Sequence, residues 1–151
     1  MKLAEALQER ADLNRKIEDL RRRLCNVVLV QEGEEPAENP EKLLQELDGA
    51  VTRLEELMTA INLTNGRTKV NGMTLTALIA KKDALMVKQS AYKDLVYAAS
   101  QNTSRARGTE IRVKALLKAA ELQRIVDQTA KEIRELDNLL QETNWKTKLL
   151  E

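Results

Sequence analysis

Four stretches of this chain repeat aliphatic residues at alternating steps of three and four, and that spacing leaves few folds open. Over about residues 2–26 the repeating positions are Leu3, Ala6, Arg10, Leu13, Ile17, Leu20 and Leu24, with Arg10 the one charged member. A period of about 3.5 residues puts all of them on one side of an α-helix, so the stretch predicts a helix paired with another along a narrow seam. Leu44, Leu47, Val51, Leu54, Met58 and Ile61 repeat the step over about 40–62. Leu75, Leu78, Leu85, Tyr92, Val96 and Ala99 lie along one seam over about 75–101, at steps of three, four or their sum, with Ile79 and Met86 on an adjacent stripe. Leu122, Val126, Thr129, Ile133, Leu136 and Leu140 mark a fourth helix over about 119–145. At 1.5 Å per residue, each helix is roughly 37 Å long.

The breaks between the seams are equally specific. VVLVQEGEEPAENPEKL holds both prolines of the chain and an acidic run, which reads as a loop. Asn39 is placed to cap the second helix, with Pro40 in its first turn and Glu41 near the positive end of its dipole. That helix is expected to stop near Asn62, because two Asn-Gly pairs follow. The second pair lies in TKVNGMTL, where an Asn-Gly turn between short β-prone runs predicts a hairpin over about 67–75. TEIRV, about 109–113, has the alternation of a third strand, and a third strand steadies a hairpin that is marginal alone. The expected fold is mainly α: four long antiparallel coiled-coil-like helices in a single domain, 1–151, with a small β-hairpin or three-strand cap.

Composition narrows the chemistry. There is no histidine, which removes the commonest general base and metal ligand, and one cysteine cannot build a zinc site. The five glycines are scattered, so no phosphate-binding loop forms. These absences read as a non-enzymatic protein with no cofactor and no metal. Glu32, Glu34, Glu35 and Glu38 lack calcium-loop spacing and read as a solvated loop. Cys25 follows Arg21, Arg22 and Arg23, whose charge favours a thiolate; its place at a helix C-terminus opposes that, and an inert thiol is the plainer reading.

The densest basic stretch is Arg105, Arg107, Arg112 and Lys114, with Lys118 and Arg124 beyond. It suits phosphate backbones or acidic protein surfaces; the plainer reading pairs it with the acidic 32–48 region of the same or a neighbouring chain. A net charge of +1 and 2% aromatic residues argue against nucleic acid and membrane surfaces as partners. Trp145 is placed as an anchor for the last helix against another layer or subunit. Surplus apolar stripes and an exposed strand edge point to a homo-oligomer, with room for an unidentified protein partner. A single cysteine, with Glu5, Glu9 and Arg10 where a signal peptide is apolar, points to the cytoplasm.

MKLAEALQERADLNRKIEDL, INLTN, TLTALIAKKDAL, SRARGTEIR and LDNLLQETNW together resemble the septicolysin-like family of small bacterial proteins. The family's name implies a pore-forming cytolysin, and the resemblance transfers no catalytic or binding residues. The residues here point elsewhere: one tryptophan, and a hairpin far shorter than the roughly 9–11 residues of a membrane-spanning strand.

Overall fold

The computed structural model describes residues 1–103 and 111–151. It contains four long helices, α1 (Leu3–Val27), α2 (Pro40–Arg67), α3 (Leu75–Ala99) and α4 (Ala119–Lys146), with a short 3-10 turn at Ser100–Thr103. Two strands, β1 (Lys69–Val70) and β2 (Met73–Thr74), lie between α2 and α3. The chain divides into two compact units, residues 1–74 with 143–151, and residues 75–142.

In the first unit α1 pairs with α2. All seven residues of the expected α1 seam are buried or half-buried, and Val27 extends it by one step. Leu20, Val27 and Leu43 form a buried cluster against which Leu24 and Leu47 pack. The α2 seam differs from expectation. Its inward face is Leu43, Leu47, Ala50, Leu54, Leu57, Ile61 and Thr64, while Leu44, Val51 and Met58 stay 50%, 47% and 45% exposed. Both stripes satisfy the three-four spacing and share Leu47, Leu54 and Ile61. The observed rotation brings Arg53 to the edge of the seam, where it meets Glu9 of α1, and leaves Asp48 and Glu55 in water.

α2 begins as expected: the Asn39 side chain accepts from the Glu41 and Lys42 amides at 3.0 and 3.4 Å, and Pro40 opens the helix. It does not stop near Asn62 but runs to Arg67, so the first Asn-Gly pair, Asn65-Gly66, is helical. A helical glycine costs about 1 kcal/mol relative to alanine, less than full burial of Ile61 contributes. The second pair does turn the chain. Asn71 and Gly72 have φ of 51° and 81°, the signature of a type I′ turn, and pair Lys69 with Thr74 and Val70 with Met73.

Among the described residues the sheet has two strands. Of the expected third strand, residues 109 and 110 lie outside the described residues, and 111–113 hold only one bridge residue, Arg112. The two ends of the chain meet in the first unit. Lys2 and Lys148 form an antiparallel bridge, Leu3 N–H donates to Thr147 at 2.9 Å, and Leu149 N–H donates to Met1 at 3.0 Å.

In the second unit α3 keeps its expected seam but buries it unevenly. Leu75 and Leu78 are buried, whereas Leu85, Tyr92, Val96 and Ala99 are half-buried. Leu122, Val126, Thr129, Leu136 and Leu140 of α4 are buried at the expected spacing, and the Thr129 hydroxyl donates to the Ile125 carbonyl at 2.7 Å. Lys82 of α3 donates to Asp137 of α4, tying the two helices across the seam.

Candidate interaction surfaces

The edges of the α1–α2 seam are chemically unlike. On one edge, Glu9 and Arg53 each precede an inward residue by one position. Arg53 grips the Glu9 carboxylate with two hydrogen bonds, 2.7 and 3.1 Å, and reaches Glu56 at 3.2 Å. Arg23 makes the matching contact at the far end, donating to Glu38 at 3.0 and 3.2 Å and to Asp19 at 3.2 Å. Hydrogen bonding from Arg53 holds the Glu9 carboxyl below its ordinary 4.5, and Arg23 does the same for Glu38. Their lowered values make both carboxylates poor proton acceptors near neutrality.

The sign for stability follows. A carboxyl whose folded value lies below its unfolded one stabilises the fold fully above about pH 4.5, and loses that contribution as pH falls through the lowered value. Thermal unfolding should therefore shift to lower temperature on acidification below about pH 4.5. Glu9→Gln should remove part of that acid slope while leaving the Glu38 part; an unchanged slope would count against the pair.

A half-open cleft of about 740 Å³ lies beside this edge, lined by Arg53, Glu56, Leu57, Ala60, Leu63 and Leu149 among others. Several of its polar side chains are engaged. Arg53 is held by two carboxylates, and the Thr52 and Thr59 hydroxyls donate to the Asp48 and Glu55 carbonyls at 3.0 Å each. Among the described residues no group of acidic, cysteine or histidine side chains is placed to hold a metal ion.

The opposite edge of α2 carries no ion pair among the described residues. There Leu44, Val51 and Met58 each follow an inward residue by one position and stand seven apart. Near Leu44 a small wholly apolar groove is lined by Leu24, Cys25, Val28 and Pro40, with Cys25 an exposed free thiol. Past α1, a second cleft of about 520 Å³ is formed by residues 26–37, including Leu29, Val30, Glu34 and Glu35.

Arg105 and Arg107 lie outside the described residues. Arg112 and Lys114 are exposed, as are Lys118 and Arg124. Trp145 is 54% exposed, and Thr143, two residues earlier, is a buried side chain at that end of α4. Among the described residues no helix is long and apolar enough to cross a membrane.

Comparison with known proteins now places the molecule. A model described as a family of unknown function (DUF6847) matches residues 10–149. The chain belongs to DUF6847. The crystal structure of a functionally unknown conserved protein from Corynebacterium diphtheriae is similar to this DUF6847 chain at 40% identity, covering 99% of each chain, with a TM-score of 0.92. Comparison with curated proteins gives no match.

Two features of this DUF6847 chain escape a reading by residue type. Thr64 is fully buried on the inward face of α2; its hydroxyl donates to Ala60 at 2.7 Å and accepts from the Leu150 amide at 2.9 Å. The three-step from Ile61 to Thr64 is the only signal for it. The Glu9–Arg53 pair spans 44 residues, and only the phase of both helices would reveal it.

Proposed function

We propose that this chain is a non-enzymatic helical module whose work is homo-oligomeric assembly. The observation that supports this is the exposed stripe Leu44, Val51 and Met58 on α2. An inward seam needs only two positions per heptad; a third apolar position per heptad is the pattern of a helix that packs against more than one neighbour. The stripe is evenly spaced about Val51. A second copy laid antiparallel therefore sets Leu44 against Met58 of that copy at both ends, with Val51 at the two-fold axis, the self-complementarity an isologous contact requires. The finer fold belongs to the same proposal: antiparallel coiled-coil-like pairs and a cytoplasmic home.

The test is mass in solution. At tens of micromolar, light scattering should give a multiple of the 17.1 kDa chain, and Val51→Asp should weaken that association with its helical signal intact. A wild-type monomer under those conditions would sink the reading. The septicolysin-like resemblance supplies a rival, a pore-forming cytolysin, which predicts dye release from liposomes at sub-micromolar protein. A second rival, an adaptor for nucleic acid or an acidic partner through Arg105, Arg107, Arg112 and Lys114, predicts salt-sensitive retention on RNA or DNA.

A further inference from the structure

Two exposed segments of this chain are chemical opposites. Residues 26–41 hold Glu32, Glu34, Glu35, Glu38 and Glu41 with no lysine or arginine, and residues 111–118 hold Arg112, Lys114 and Lys118 with no acid. Each is also strongly apolar. The two most exposed large apolar side chains among the described residues are Leu116, at 89%, and Leu29, at 86%, one on each segment. Ile111, Val113 and Leu117 accompany the first, and Val28 and Val30 the second, all at least half exposed or nearly so. Among the described residues Glu38 is the one of these acids held in an ion pair, by Arg23. Glu32, Glu34, Glu35, Arg112, Lys114 and Lys118 make no ion pair among the described residues.

We infer that the basic, apolar segment 111–118 of one copy docks into the acidic, apolar cleft of residues 26–37 on a second copy, and that the exchange is reciprocal. The inference rests on the assembly reading above but uses a different surface. Three positive charges alternate with Ile111, Val113, Leu116 and Leu117, so a short strip presents both characters at once. The cleft matches it, with Leu29 and Val30 beside Glu34 and Glu35 in a volume of about 520 Å³. Apolar contact supplies the affinity, and the opposed charges set which surfaces meet. A two-fold dimer makes the contact twice, so neither segment remains uncovered.

The test uses full-length chains. One variant carries Arg112→Glu, Lys114→Glu and Lys118→Glu; the other carries Glu32→Lys, Glu34→Lys and Glu35→Lys. Each alone sets like charges against each other and should dissociate at about 100-fold or more higher concentration than wild type. Mixed together, the two should re-form a heterodimer, because both contacts of the mixed pair regain opposite charge. All six positions are exposed, and circular dichroism checks that each variant is folded. Wild-type association should also weaken as salt rises. If either variant alone associates like wild type, or the mixture fails to recombine, the exchange is overturned while assembly through α2 stands. A monomeric wild type overturns both.

Discussion

Leu20→Ala should cost about 2–5 kcal/mol of stability, read as a lower urea midpoint for loss of helical signal. Leu20 is completely buried in the α1–α2 seam, clustered with Val27 and Leu43 and flanked by Leu24 and Leu47. Truncation removes the transfer free energy of three carbons and leaves a cavity. The neighbours are long aliphatic side chains on two helices that can close only by shifting as rods, so the cavity persists. The contrast is Leu44→Ala on the same helix pair. Half exposed in the single chain, it should cost under about 1 kcal/mol when measured on monomer. Equal losses at the two positions would mean that the inward face of α2 is assigned wrongly.

Thr64→Val should cost about 1–3 kcal/mol and loosen the end of the chain. Valine keeps the shape and the methyl contact but removes the hydroxyl. Its donation to the Ala60 carbonyl is dispensable, since that carbonyl already lies within the helix. The acceptor is what matters: the Leu150 amide, at 2.9 Å, loses its partner at a partly buried position. Amide exchange at Leu150 should accelerate, and carboxypeptidase should act sooner on the last residues. Thr64→Ser, which retains the acceptor, should restore slow exchange. Should exchange at Leu150 be the same in wild type and Thr64→Val, the hydroxyl is not what ties the end of the chain down.

How far such features could be read in advance depends on whether neighbours along the chain decide them. The α1 seam was legible because only one stripe of that helix has aliphatic residues at three-four spacing. α2 has two, Leu43, Ala50 and Leu57 against Leu44, Val51 and Met58, joined to the same Leu47, Leu54 and Ile61. Local periodicity weighs them equally. The choice is made by α1, whose Glu9 meets Arg53 only in the observed rotation. The two Asn-Gly pairs teach the same lesson. Asn71-Gly72 turns because β-prone residues on both sides can pair, whereas Asn65-Gly66 is carried through as helix because Ile61 and Thr64 stay on the buried face.

The candidate surfaces divide in the same way. That residues 111–118 are basic and 26–41 acidic needs no structure. That Leu29 and Leu116 are left almost bare does, because an aliphatic residue in a loop is equally compatible with a core. At the end of α4 the large Trp145 is 54% exposed while the smaller Thr143 is buried, an order that residue size does not foretell.

The amino-acid order by itself determined four long helices, the caps at Asn39 and Pro40, and the turn at Asn71-Gly72, because these follow from spacing and backbone preference within a few residues. The tertiary structure decided which stripe of α2 turns inward, which Asn-Gly pair bends the chain, and which apolar side chains are left exposed. Those outcomes depend on residues tens of positions apart competing for the same surface. An interval of three or four carries no record of that competition.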